Sequence, residues 1–101
     1  MKKFSIGWVK FRHEKRAEFL AAVQILVAAT RQEEGCVFFE VTLSLDKPDT
    51  ALSVECFKSA DAHEEHQNTP HMKAFMARMA DILVEGRFEN ILSDTIVSDG
   101  L

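Results

Sequence analysis

A glutamate between apolar neighbours and a run of histidines are the residues best suited to chemistry. Glu55 stands between Val54 and Cys56 and shares a strand face with Ser53 and Phe57. A carboxylate inside a sheet costs free energy unless it is exposed or paired. It is therefore either a structural group bonded to a helix end or a histidine, or a base facing a pocket. The two readings merge if Glu55 holds His66 in one tautomer. His66 and His71 flank a break in a helical stretch, because Thr69-Pro70 is a cap followed by a proline suited to a first helical turn. His71 falls in that turn, where free N–H groups suit an anionic oxygen, such as an enolate, a phenolate or a phosphate. The plainer reading of His71 is a surface or capping residue. His63 and His66 are three apart and, with His71, offer three nitrogens to a metal. Pro70 interrupts the helix between them, and no carboxylate or thiolate is obviously placed to complete the shell. Neither a metal nor another cofactor is expected.

The remaining candidates are binding residues. Trp8, Phe39 and Phe57 are placed to line an apolar pocket for a planar ring, with core packing as the alternative for each. Arg78 would fix a carboxylate or phosphate if it points inward, and is a solvated arginine otherwise. In a hairpin centred on Pro48, Cys56 faces a residue near Glu40, so a disulfide with Cys36 is not expected. Both cysteines read as small buried hydrophobes.

These residues need elements to hold them. Phe4, Ile6 and Trp8 alternate with Ser5, Gly7 and Val9, which predicts a strand over residues 4–12. Phe19, Val23, Leu26 and Thr30 form one helical stripe within residues 14–34, and Gly35 suits the stop. Residues 36–45 alternate again, with Val37, Phe39, Val41 and Leu43 on one face. A turn rich in Asp and Pro follows, then a third strand with Leu52, Val54 and Cys56 on one face. The short connection makes these two strands an antiparallel hairpin. Ser59 caps a short helix to about Gln67, Thr69-Pro70 restarts it, and Met72 to Leu83 supply the apolar stripe. Gly86 is the expected stop, and residues 88–97 the fourth strand. The order β-α-β-β-α-β predicts an α+β, ferredoxin-like fold: an antiparallel four-stranded sheet with two helices on one face. The bare face must be covered, and a second copy stacking sheet on sheet is the simplest cover.

Composition sets the outer bounds. A chain of 101 residues makes one domain, residues 1–101. Its net charge of −4 disfavours nucleic-acid or anionic-membrane partners, which need a basic face. Two cysteines are too few for a disulfide scaffold. The longest uncharged run, residues 19–30, is too short to span a membrane. With no apolar leader behind Met1-Lys2-Lys3, a cytoplasmic location is expected.

Several segments are shared, in order and spacing, with one family. Glu34-Gly-Cys-Val-Phe-Phe-Glu40 is similar to an "EGC-x-x-[YF]" strand opening. Val54-Glu-Cys-Phe-Lys58 is similar to "[YV]-E-x-[WF]". Residues 59–66 and 69–75 are similar to "S-x-x-A…H…T-x-H…F". Over nearly its whole length the chain resembles the antibiotic biosynthesis monooxygenase domain family. The resemblance implies a dimeric α/β barrel made by two sheets, with a pocket in each subunit between sheet and helices. It assigns His66 to that pocket and strengthens Glu55 as base or orienter. It implies oxidation of a phenol or quinol by molecular oxygen without a cofactor. Other members isomerise or break down small carbonyl compounds, one of them phosphorylated, and another branch degrades haem. The family often has Tyr where Phe39 stands and Trp where Phe57 stands, so a phenolic proton donor is missing here. Haem degradation is not expected, because residues 4–12 contain no Asn. Three functions therefore compete: a cofactor-independent monooxygenase, an isomerase or degradative enzyme for a small carbonyl metabolite, and a non-catalytic dimeric ligand-binding module.

Overall fold

In the computed structural model, which describes residues 1–100, the alternating segments pair into one antiparallel sheet. Strand β1 (Lys2–Phe11) runs down its middle. A single 3₁₀ turn, His13–Lys15, leads into helix α1 (Arg16–Thr30). Strands β2 (Cys36–Leu43) and β3 (Thr50–Phe57) form the hairpin. Helices α2 (Ala60–Gln67) and α3 (Pro70–Met79) follow, and β4 (Leu83–Ser93) closes the chain. The strand order is β2-β3-β1-β4, with β1 antiparallel to both β3 and β4. This is the ferredoxin-like α+β arrangement, with the helical half of the second unit split in two. No helix of the described residues is long and apolar enough to cross a membrane.

The split has a local cause. Ser59 Oγ accepts from the Ala62 N–H at 3.0 Å and Thr69 Oγ1 accepts from the Met72 N–H at 3.2 Å, so each helix has its own cap. Thr69 also donates to the carbonyl of His66 at 2.7 Å, which ties the start of α3 to the end of α2. The hairpin turn contains Asp49 at φ 54°, a left-handed position that Asp tolerates.

Three boundaries differ from the sequence expectation. Helix α1 stops at Thr30, and residues 31–34 continue as tight turns, with the Glu33 N–H donating to Thr30 O. Gly86 is not a helix stop but a β4 residue opposite Val9. Strand β4 starts at Leu83 and ends at Ser93, because the Arg12 N–H captures Ile82 O and draws this segment onto the end of β1. Finally, the hairpin register sets Cys56 opposite Phe38 rather than Glu40. Both cysteines are free thiols.

All three helices lie on one face of the sheet. There β1 presents Ser5, Gly7, Val9 and Phe11, and β3 presents Ala51, Ser53, Glu55 and Phe57. Phe11, Phe19, Ala22, Ala51, Met79 and Ile82 pack solidly at one end of this interface. Leu26, Phe39 and Phe57 form a smaller core at the other. The helix-free face carries the other alternating set, Phe4, Ile6 and Trp8 with Leu52 and Val54, only partly buried. Phe38 joins them, its ring centroid 6.3 Å from that of Phe4.

Candidate active site

Between the two cores the helix–sheet interface is hollow. The strand residues there are small: Ser5 and Ser53 leave open space, and Gly7 makes room for the Phe88 ring, which lines it. A Cβ built on Gly7 would meet the Phe88 ring at 2.4 Å and Ser53 Oγ at 2.5 Å, so a larger residue would have to displace them. The resulting cavity has a volume of about 420 Å³, the size of a small-molecule site. Phe39, Met72, Phe75, Leu26 and Val23 make it apolar, while Glu55, His63 and His66 supply convergent polar groups.

Three carboxylate–histidine pairs sit at this end, and none is the pair expected from sequence. Glu55 does not hold His66. It bonds His63, with Oε1 and Nε2 3.2 Å apart and both side chains about 10% exposed. One helical turn on, His66 turns its other edge toward Glu33: Nδ1 and Oε2 are 2.8 Å apart. An ionised carboxylate only accepts hydrogen bonds, so the ring nitrogens facing Glu55 and Glu33 are the N–H donors. His66 is 1% exposed, and its Nε2 has no protein partner. Among the described residues, Thr30 Oγ1 is the only side-chain nitrogen or oxygen both sealed and unpartnered. The His66 ring lines the cavity, and Nε2 is the nitrogen that Glu33 leaves uncommitted. A neutral imidazole fixed as the Nδ1–H tautomer presents Nε2 as a proton acceptor.

Glu33 reaches His66 because of a close approach next to it. A Cβ on Gly35 would fall 2.6 Å from Ala62 Cβ, so only glycine lets α2 lie this near the turn after α1. The Lys58 N–H donates to Gly35 O at 2.9 Å and locks the turn to the end of β3. Glu33 was not among the sequence candidates, although its neighbours Glu34 and Gly35 were quoted for the family resemblance. The available signal was the tight-turn glycine beside it.

The other candidates separate. His71 does not line the cavity or offer its helix end to an anion. Its Nε2 donates to the same Glu33 oxygen at 2.6 Å, which follows from α3 restarting immediately behind α2. The Met72 N–H of that helix end is already taken by Thr69. Phe39 lines the cavity as expected. Phe57 is fully buried behind the cavity wall, its ring centroid 4.8 Å from that of His66 and 5.2 Å from that of His63. Trp8 lies on the helix-free face, by the alternation that points Gly7 inward, and Arg87 sits 4.3 Å over its ring. Arg78 is exposed on α3 and outside the cavity. The absence of a carboxylate near the histidines, expected from sequence, is corrected by Glu33, whose Oε2 groups with one nitrogen each of His66 and His71. Burial pushes the Cys36 thiol up, and the Glu33 and Glu55 carboxylates push it further. Burial also pushes up the Cys56 thiol. Neither is a thiolate nucleophile at neutral pH.

Comparison with known proteins supplies a second line of argument. The family described as "Antibiotic biosynthesis monooxygenase" matches residues 6–78. The chain is 32% identical over 77 residues to "Putative monooxygenase YcnE" of Bacillus subtilis, covering 76% of this chain and 81% of that protein. It is 28% identical over 72 residues to "Putative monooxygenase Rv0793" of Mycobacterium tuberculosis, covering 71% and 70%. The solved structure of Rv0793 superposes with a TM-score of 0.89 over 97% of this chain and all of that one, at 21% identity. A Deinococcus radiodurans structure superposes at 0.88 over 97% and 98%, at 19% identity. At such identities the superpositions show the shared fold alone.

Proposed function

Because this chain belongs to the antibiotic biosynthesis monooxygenase family, we propose that it oxidises a small phenolic or quinol-type substrate with molecular oxygen, without a cofactor in the reaction. The observation that carries this reading is His66, with Nδ1 committed to Glu33 and its ring lining an apolar cavity. In this reading His66 Nε2 removes the acidic proton of the bound ring. The electron-rich anion reduces dioxygen, and the two recombine at a ring carbon as a peroxide. At an anthrone-type CH₂, loss of water leaves a carbonyl, with one oxygen atom in the product and one in water. The substrate supplies all the electrons, so no external reductant is needed. A dry cavity favours this course because it protects the anion and its peroxide from water. Glu55 and His63 form a second polar pair beside the reacting ring. Ser53 Oγ, at the cavity floor, is a hydroxyl able to orient the substrate oxygen.

Carbonyl isomerisation would use the same base. A phosphorylated substrate has weaker support, since Arg78 is exposed and His71 turns to Glu33. Lys3 is the cation lining the cavity. We also propose that a second copy covers the helix-free face and that the dimer is cytoplasmic. The support for the dimer is the apolar set Phe4, Ile6, Trp8, Leu52 and Val54.

An oxygen-electrode screen of metal-stripped protein against hydroquinones, anthrones and naphthols tests the reaction. The expected result is uptake above autoxidation that falls in His66→Gln and Glu55→Gln. No uptake with any ring substrate contradicts the oxygenase reading and directs the search to proton exchange in small diketones.

A further inference from the structure

We propose that Glu33, His66 and His71 form a three-ligand site for a divalent transition-metal ion of the zinc type, and that its occupancy silences His66 as a base. The first half stands on geometry alone; the second rests on the functional reading above. Three separate segments bring the ligands together: the turn after α1, the end of α2 and the first turn of α3. Glu33 Oε2, His66 Nδ1 and His71 Nε2 all lie within 4.8 Å of one another. The carboxylate oxygen is 2.8 Å from one nitrogen and 2.6 Å from the other. Tetrahedral zinc, with bonds of about 2.0–2.1 Å, spaces its ligands roughly 3.3 Å apart. The two oxygen–nitrogen distances need to open by roughly 0.5 and 0.7 Å. Glu33 is on a turn rather than inside a helix, and its side chain is 15% exposed.

The ligand chemistry selects the ion. Two imidazoles and one carboxylate suit zinc, copper, nickel or iron, whereas magnesium and calcium prefer all-oxygen shells. The ordinary affinity order places copper and zinc above manganese. The site is open on one side, since the His71 side chain is 22% exposed, which provides an entry path and a position for water or hydroxide. Without the ion, one oxygen accepts two imidazole N–H groups. With it, both nitrogens become donors of lone pairs, and each ring keeps its single proton on the other nitrogen. For His66 that other nitrogen is Nε2. A group that accepted a proton from the cavity then carries one.

The test uses chelator-stripped protein titrated with cobalt(II), followed by its visible absorption, and with zinc, followed by calorimetry. One ion per chain is expected. Glu33→Ala and His71→Ala should each weaken binding by at least about tenfold, as loss of even an outer-shell partner does. His13→Ala, which removes an exposed histidine paired with Asp49, should not. Ring ¹⁵N spectra of the unaltered chain guard against misfolded variants: zinc should shift His66 Nδ1 and His71 Nε2. Binding that survives both substitutions, rings that do not respond, or no binding at all overturns the site. If ring substrates are turned over, zinc should suppress oxygen uptake in step with the binding curve. Full activity at saturating zinc overturns the silencing while leaving the site. Absence of turnover contradicts only the functional reading, because the binding experiments do not depend on it.

Discussion

Two regions of the helix–sheet interface share β1, β3, α1 and α3, yet one is solid and the other hollow, and α2 borders only the hollow one. At the solid end Phe11 and Phe19 stack with centroids 4.5 Å apart, over Ala22, Ala51, Met79 and Ile82. At the hollow end β1 and β3 present Ser5, Gly7 and Ser53, and the space is bordered by Glu55, His63 and His66. Along β1 the difference is side-chain volume, from Phe11 at the solid end to Gly7 and Ser5 at the hollow one. The gradient in side-chain size along β1, together with the histidines of α2 over one region only, builds a core and a cavity from one fold. The buried polar groups at the hollow end are hydrogen-bonded in pairs, as their burial requires.

Substitutions at each end should affect different observables. The largest effect is expected at the hollow end. His66→Gln should lower turnover of a ring substrate by roughly 10²–10⁴, the usual worth of a general base. Its unfolding midpoint should move far less than its rate, and steady-state kinetics with urea unfolding separate the two. At the solid end, Phe11→Ala should cost about 3–5 kcal/mol of stability, as large aromatic truncations do, with the specific activity of the folded fraction retained. A parallel loss of activity per folded molecule would mean that the ends are not separable. Gly35→Ala tests the link between them. The added methyl meets Ala62, so α2 must shift, costing about 1–3 kcal/mol and loosening Glu33 from His66. Stability and the His66 ring shifts should change together.

The thiols give a pH signature. Both are raised in the folded chain by burial, so alkylation should be slow at neutral pH and accelerate only above the ordinary thiol range. Because the folded state holds these protons more tightly, their contribution to stability is present below the unfolded thiol value. It is lost as pH rises toward the folded one. Chemical denaturation across alkaline pH checks this. The smallest effect belongs to Arg78→Ala, expected within about 0.5 kcal/mol in stability and without effect on turnover, since the side chain is exposed. The helix-free face has its own test, in which sedimentation should give about twice the 11.4 kDa chain mass. A stable monomer would contradict sheet-on-sheet pairing.

Much of the fold was legible because period-two and helical patterns are local. Phe4, Ile6 and Trp8 announced β1, and Thr69-Pro70 announced the break before α3. Strand β4 was misplaced because Ile82 and Leu83 continue the apolar spacing of α3, and only pairing with the end of β1 pulls them out of it. The site was partly legible. Glu55 stood out as a carboxylate inside an apolar strand, and His66 through its matching segment. Their partners did not, because pairing depends on how α2 docks. His63 and His66 are one turn apart, and a small rotation decides which meets Glu55. Glu33 lay hidden as one acidic residue after a helix, and its role depends on contacts with residues 33 and 38 positions away. Trp8 was expected at the pocket as an aromatic candidate, but the alternation of β1 puts it on the helix-free face. The small residues Ser5 and Gly7 face the helices instead.

The central claim is that Glu33 holds His66 as the Nδ1–H tautomer, with Nε2 free toward the cavity. Long-range ¹H–¹⁵N correlation of the histidine rings, on metal-free protein well above the ordinary histidine range, tests it without a substrate. The account predicts a protonated Nδ1 and a bare Nε2 for His66, and loss of that preference in Glu33→Ala. A His66 ring protonated at Nε2, or one indifferent to Glu33, would contradict it.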